Sequence, residues 1–192
     1  MTTIIGLSGS LRQGSYNTLL LQVAAGLMPE GATLVVKTIH GIPLYNEDDE
    51  EAGGIPDVVR ELKTSIAEAD GLLLSTPEYN NSIPGVFKNA IDWLSRPSAD
   101  IPRVFGGKPV AIVGASPGAL GTVLSQSAWL PPLRALGVRP WTGGRLLVPH
   151  AHQVFDTAGQ ITNTEIREQL RRFLLGFVRF VAPRAPVPAL VS

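Results

Sequence analysis

The chain has 192 residues, 44% of them apolar and 17% charged, which is enough for one globular domain with a sizeable core. Its 16 Lys and Arg balance its 16 Asp and Glu, so the charge indicates neither a nucleic acid nor a strongly basic protein as partner. Cysteine is absent, which excludes disulfides, thiolate nucleophiles and cysteine-ligated metals.

The first predicted strand and helix enclose a loop of small hydroxyl residues. Residues 3–7 are apolar, residues 18–27 have a helical pattern, and SGSLRQGSYN lies between them. Backbone N–H groups at a helix start, hydroxyl donors and one arginine are suited to binding phosphate. The loop is neither a P-loop nor a Gly-x-Gly-x-x-Gly motif, which favours a terminal phosphate monoester. The candidate donors are Ser8, Ser10, Arg12, Ser15 and Asn17.

The second predicted unit consists of a strand over residues 34–38 and a helix over residues 56–69. The connection between them is irregular and carries the acidic run EDDEE, from Glu47 to Glu51. We interpret this run as a solvated loop. Pro56 is typical of the first turn of the following helix.

The third predicted strand, residues 71–75, leads into the loop STPEYNNSIPG. Two prolines make this loop stiff. Its backbone N–H groups, its amides and Tyr79 can lie along a flat heteroaromatic ring. The alternative is a rigid turn with Glu78 in solvent.

The next predicted helix, residues 84–94, has an apolar stripe formed by Phe87, Ile91 and Leu94, with Trp93 beside it. Such a stripe usually packs in the core. We expect the other face of this helix to contact a partner subunit.

The fourth unit is predicted as a polar turn over residues 95–107, a strand over 110–114 and a helix over 123–136. Its loop VGASPGALGT formally matches the Gly-x-Ser-x-Gly nucleophile elbow. We reject that function because Pro117, after Ser116, has no N–H to donate to an oxyanion, and because no acid lies between Ser116 and His150. The glycines instead allow a ligand to approach the backbone closely.

The last unit is a predicted strand over residues 145–148 and a helix over 164–181, with Asn163 as its cap. His150 and His152 have only Asp156 as a nearby acid, so we predict no metal site but a loop packed against the last helix. Residues 1–182 are expected to form one domain. The proline-rich residues 183–192 are expected to be an extended or disordered tail.

Five strand–helix units in series predict an α/β fold, a doubly wound parallel sheet with helices on both faces. Ligands of such sheets bind beyond the carboxyl ends of the strands. The loops over residues 8–17, 76–82 and 115–122 follow strands one, three and four, and all are rich in Gly, Pro, Ser, Thr and Asn. We therefore expect them to form one ligand site.

The loop GSLRQGSYN, starting at Gly9, resembles the GSLRxGSxN loop of the flavodoxin-like NADPH-dependent FMN reductases. TPEYN at residues 76–80 and KNAIDW at residues 88–93 are similar to the second signature of that family. The family includes quinone, azo-dye and chromate reductases. The resemblance implies a five-stranded flavodoxin-like sheet in the order 2-1-3-4-5. This chain departs from the family pattern at Thr122 and Leu124, where a glycine and an arginine are common.

The resemblance implies that FMN passes hydride from NADPH or NADH, through its N5 atom, to a quinone-like or other small acceptor in ping-pong order. The FMN phosphate would be held by Ser8, Ser10, Arg12, Ser15 and Asn17, with Tyr16 beside them. The isoalloxazine would be bordered by Pro77, Glu78, Tyr79 and Asn80, with Thr76 before them and Ser82 holding the loop. Ser116 and Gly118 would approach the flavin from the fourth strand.

The resemblance also implies a homodimer or homotetramer without nucleic-acid or membrane partners. A cytoplasmic location is expected because the N-terminus has no signal-peptide pattern and no apolar run reaches the about 20 residues of a membrane span. One alternative function is a flavodoxin-type electron carrier, but such carriers are strongly acidic and this chain is not. Another is a flavin-binding regulatory module without turnover.

Overall fold

The computed structural model describes residues 1–182, and the prediction for the tail lies outside them. The strands are β1 (Thr2–Ser8), β2 (Ala32–Thr38), β3 (Gly71–Ser75), β4 (Pro109–Ala115), β5 (Arg139–Pro140) and β6 (Leu146–Val148). The helices are α1 (Tyr16–Gly26), α2 (Glu47–Gly53), α3 (Asp57–Glu68), α4 (Gly85–Leu94), α5 (Ile101–Val104), α6 (Val123–Ala128), α7 (Leu130–Ala135), α8 (Ala151–Val154) and α9 (Thr164–Val181). No helix among these residues is long and apolar enough to cross a membrane.

The strands form one parallel sheet in the order β2-β1-β3-β4, with β5 and β6 both paired to the outer edge of β4. The predicted strand order is therefore confirmed, and the fifth position is shared by two short strands. β5 pairs with the start of β4, β6 pairs with its end, and residues 141–145 leave the sheet between them. A strand of two residues that contains a proline and an arginine has no apolar run to indicate it.

Both faces of the sheet are covered, as the continuous apolar strands predict. Neighbouring residues of one strand enter opposite cores. Ile4 packs in a cluster with α1 and α9, whereas Ile5 packs in a cluster with α3 and α4. Since side chains alternate across a strand, this arrangement holds the sheet in the middle layer of three.

The prediction of a solvated loop over the acidic run is wrong, because the run forms α2. Asn46 caps this helix, its side chain accepting a hydrogen bond of 3.2 Å from the Asp48 N–H. Four acids stand in the first turn, where the helix dipole stabilises negative charge. The residues of α2 are exposed, as expected, except Glu50, whose side chain is 12% exposed and pairs with Arg96.

Two further predictions need correction. Residues 95–107 are not a simple polar turn, because they contain a 3₁₀ turn (Ser98–Asp100) and α5, and because Val104 and Phe105 are fully buried. The helix predicted over residues 123–136 is divided at Trp129 into α6 and α7. Pro131 and Pro132 start the second helix and lack the N–H groups that would continue the first.

The stripe on α4 is core, as predicted: Phe87, Ile91, Trp93 and Leu94 are each at most 2% exposed. The outer face of α4 carries an ion pair of 2.6 Å between Lys88 and Asp92. α9 has the predicted bounds, and Asn163 caps it by accepting a hydrogen bond from the Ile166 N–H.

Candidate functional site

The first loop ends at the N-terminus of α1. Ser15 is the N-cap, and its hydroxyl accepts a hydrogen bond of 3.4 Å from the Thr18 N–H. No acid lies in the first turn, so nothing there offsets the partial positive charge of the helix end. Arg12 is exposed, and its guanidinium carbon lies 5.4 Å from the centre of the Tyr16 ring. Hydroxyls, a helix end and an exposed cation together suit a phosphate dianion.

The other hydroxyls of this loop bond within the protein. Ser8 is fully buried, and its oxygen lies 2.8 Å from the Thr18 hydroxyl. The Ser10 hydroxyl accepts a hydrogen bond of 3.2 Å from the Arg12 N–H. These bonds fix the turn on which Arg12 stands. Thr18 therefore helps to hold this loop, although the sequence predicted it only as a residue of the following helix.

Asn17 joins the three loops. Its side-chain N–H donates to the Ala115 carbonyl at 2.9 Å, and its side-chain oxygen accepts from the Ala115 N–H and the Ser75 hydroxyl, both at 3.0 Å. Asn17 is 3% exposed. The predicted phosphate donor is therefore a buried cross-link between the start of α1 and the ends of β3 and β4, and this role was not visible in the sequence.

The second loop has a tight two-residue turn at its tip. Asn80 and Asn81 both have left-handed backbone angles, with φ of 48° and 61°. Tyr79 and Ser82 exchange two backbone hydrogen bonds across the turn. This is the conformation that asparagine tolerates well and that closes a hairpin. It holds the Tyr79 ring at the rim with 48% of its surface exposed.

The base of the second loop is bonded to α6. The Glu78 carboxylate accepts hydrogen bonds of 2.8 and 2.9 Å from the N–H groups of Leu124 and Ser125. The buried Thr76 hydroxyl lies 2.8 Å from the Ser125 hydroxyl and accepts from the Trp129 indole at 3.1 Å. The side chains of Thr76 and Glu78 therefore tie this loop to α6, which leaves backbone groups to face a ligand.

The third loop is closed by its own polar groups. The Ser116 hydroxyl accepts from the Gly118 N–H at 3.1 Å, and the Gly118 carbonyl accepts from the His150 N–H at 3.2 Å. Gly114 has no room for a side chain, because a Cβ there would lie 2.1 Å from the Thr122 hydroxyl. Thr122, which departs from the family pattern, is buried in this gap and accepts a hydrogen bond from Gln126.

The predicted site residues lie at the carboxyl ends of β1, β3 and β4: Ser8 ends β1, Tyr16 and Asn17 are in the first turn of α1, and the others are on the loops that follow the three strands. A cleft of about 300 Å³ elsewhere, beside Trp141 at the break in the fifth strand, shares no residue with these loops. Within residues 1–182 no three side chains of His, Cys, Asp or Glu lie close enough to hold a metal ion. The rings of His150 and His152 are 6.2 Å apart, in the segment that starts α8.

The donor set of the site fits a flavin mononucleotide. The phosphate loop offers uncompensated positive charge, and the second loop offers backbone groups and an exposed aromatic ring. Gly14 adds an open position, with φ of 67° and nothing within 4 Å of the place a Cβ would occupy, so the backbone of the loop can be approached closely.

Comparison with known proteins gives concordant results. Residues 2–153 match the family of NADPH-dependent FMN reductases. The chain is 44% identical over 171 residues to an NAD(P)H-dependent FMN reductase of Pseudomonas aeruginosa, covering 89% of this chain and 90% of that protein. It is 39% identical over 176 residues to a 2-hydroxy-1,4-benzoquinone reductase of a Burkholderia species, covering 92% and 94%. The solved structure of FerB, a flavoenzyme NAD(P)H:(acceptor) oxidoreductase of Paracoccus denitrificans, superposes with a TM-score of 0.83 at 31% identity and covers 94% of this chain and 97% of that one.

Proposed function

Since the chain belongs to the NADPH-dependent FMN reductase family, we propose that it holds FMN at the carboxyl edge of its sheet and reduces quinones with NAD(P)H. Membership makes it an oxidoreductase with FMN as cofactor and NAD(P)H as reductant. When bound, FMN supplies the redox chemistry, taking hydride from NAD(P)H and passing two electrons, with protons, to a quinone, so that NAD(P)⁺ and a hydroquinone leave.

The observation that carries the proposal is the convergence of both signature loops through Asn17. This side chain bonds to the ends of β3 and β4 while its backbone is in the first turn of α1. The phosphate loop (residues 8–17) and the second loop (residues 76–82, here called the ring loop) are thereby fixed at the same edge of the sheet. A fixed distance between an anion site and a flat-ring site is what a mononucleotide cofactor requires.

Each loop has a separate task in this proposal. Arg12 supplies charge to the phosphate, and Ser10, Ser15 and the α1 N-terminus supply hydrogen bonds. The backbone of residues 77–80 borders the isoalloxazine, and Tyr79 covers its rim. Ser116 and Gly118 border the cofactor from the third loop, while Ser8, Asn17, Thr76, Glu78 and Ser82 hold the loops in place. No side chain is required to transfer a proton or a hydride itself.

The reaction is tested with protein reconstituted with FMN under anaerobic conditions. We expect NADPH or NADH to bleach the visible flavin absorption in a stopped-flow experiment. Adding 1,4-benzoquinone should restore the absorption, with one hydroquinone formed per NAD(P)H consumed. Protein that binds FMN without being reduced at a useful rate would instead be an electron carrier or a regulatory module.

The site is tested separately through Arg12. If Arg12 forms a charge-assisted contact with the phosphate, Arg12→Ala should weaken FMN binding by about 1.5–3 kcal/mol, measured by fluorescence titration. Arg134→Ala is the matched control, since Arg134 is an exposed arginine in the last turn of α7. Equal affinities of the two variants would remove Arg12 from the cofactor site.

We also propose a homodimer or homotetramer, as the family resemblance predicts. Leu120, Leu124 and Leu130 support this, because they are 66%, 40% and 53% exposed along one stretch of the chain. Sedimentation equilibrium measures the state directly. The cytoplasmic location stays a prediction.

A further inference from the structure

The segment after β2 runs along the carboxyl edge from the phosphate loop to α4. At its start, the His40 ring nitrogen Nε2 lies 3.1 Å from the Leu11 carbonyl. Further on, the Tyr45 N–H donates to the side-chain oxygen of Asn89 at 2.8 Å. α4 itself starts directly after the ring loop. The segment therefore lies beside both loops of the proposed cofactor site.

Side chains of α4 hold the backbone on both sides of residue 44. Asn89 accepts from the Tyr45 N–H and donates to the Pro43 carbonyl, each at 2.8 Å. The Trp93 indole donates to the same carbonyl at 2.9 Å, and its ring meets the Tyr45 ring edge-on at 5.0 Å. Residue 44 thus occupies a fixed position.

Leu44, held in this way, is 81% exposed. Among the large apolar residues that the structure describes, only Met1 is more exposed. Leu11 and Tyr79, on the two adjoining loops, are 42% and 48% exposed. An apolar side chain on a fixed backbone gains no core packing here, so it is stabilised only when an apolar molecule covers it.

The negative charge that follows Leu44 along the chain limits which molecules can cover this residue. Asn46 caps α2, whose first turn contains Glu47, Asp48, Asp49 and Glu50. Arg96 pairs with Glu47 at 3.5 Å and with Glu50 at 2.7 Å, whereas Asp48 and Asp49 are exposed. Local negative charge repels anionic molecules and leaves neutral ones unaffected.

We propose that Leu44 is a specificity-determining residue for the electron acceptor, contacting neutral apolar quinones, and that Asn89 is its positioning residue. The acidic α2 selects against anionic acceptors at the same rim. This inference rests on the proposed function and concerns only its second half-reaction.

The test compares a neutral acceptor with an anionic one. With saturating NADPH, Leu44→Ser should raise the KM for 2-methyl-1,4-naphthoquinone by about five- to tenfold, because partial burial of a leucine is lost. The KM for ferricyanide and the rate of flavin reduction by NADPH should stay within about twofold of those of the unmodified protein, because neither depends on apolar contact with Leu44. Leu175→Ser is the control, since Leu175 is a partly exposed leucine on α9.

Two further variants separate position from contact. Asn89→Ala should raise the naphthoquinone KM as Leu44→Ser does, while leaving the FMN content unchanged. The reason is that the backbone on both sides of Leu44 loses its hydrogen bonds although the leucine is retained. The double variant Asp48→Asn, Asp49→Asn should lower the KM for ferricyanide by about threefold at low salt, and added salt should remove the difference.

The outcomes that overturn the proposal are distinct from failure of the proposed function. A naphthoquinone KM unchanged by Leu44→Ser would remove Leu44 from the acceptor site. A change of oligomeric state in Leu44→Ser, seen by sedimentation, would show that a second copy of the chain covers Leu44 instead. Failure of NADPH to reduce the flavin of the unmodified protein would reject the proposed function itself.

Discussion

Gly9 is a residue at which the phosphate loop cannot accept a side chain. A Cβ there would lie 2.0 Å from a ring carbon of Phe87, which is fully buried and packs edge-on against Trp129 at 4.9 Å. We expect Gly9→Ala to lower the free energy of unfolding by about 1–3 kcal/mol, measured in urea, because the Phe87 ring must move. Gly26→Ala on α1 is the control, since nothing lies within 4 Å of a Cβ there. Equal stability of the two variants would contradict this account of the GSLR motif.

Asp100 carries the clearest pH-dependent stabilisation. Hydrogen bonds from the buried Lys63 and then from Arg103 lower its pKa from an ordinary 3.8 to about 2. Because the folded-state pKa is the lower one, this stabilisation is complete above the unfolded pKa and is lost as the pH falls towards about 2. In urea titrations, Asp100→Asn should be less stable than the unmodified protein at neutral pH, and the gap should close in this acid range. A gap that stays constant down to about pH 2 would show that the ion pairs contribute nothing.

At the scale of elements, the N-terminus of α6 is capped by a carboxylate from another loop. Thr122 is its N-cap by position but provides no side-chain capping bond, whereas Glu78 accepts from the Leu124 and Ser125 N–H groups. We expect Glu78→Ala to lower the free energy of unfolding by about 1–2 kcal/mol, as loss of a helix cap does. It should also speed FMN dissociation, since the ring loop loses its anchor. Glu30→Ala, at an exposed glutamate in a loop, is the control, and Glu78→Gln should lie between the two.

The elements also show which parts of the fold local sequence patterns can predict. The strands other than β5, and the helices α1, α3, α4 and α9, were predictable because their apolar residues form continuous runs or follow a helical period. α2 was missed because its run of acidic residues has no apolar period that would indicate a helix. The cross-links of Asn17 and Glu78 join residues 46 to 98 positions apart. No local pattern contains such contacts, so the site's loops were predictable while the functions of these two side chains were not.

For the whole molecule, cofactor binding is linked to folding. A ligand that binds only the folded chain stabilises it by about 2.7 kcal/mol at a free concentration about 100 times its Kd. For a chain of this size we therefore expect FMN to raise the midpoint of thermal unfolding by roughly 5–10 °C in calorimetry. Riboflavin, which lacks the phosphate, should raise it much less at the same concentration, and Arg12→Ala should reduce the FMN effect without changing the riboflavin effect. Equal shifts by FMN and riboflavin in the unmodified protein would mean that the first loop does not hold the phosphate, whatever the flavin ring contacts.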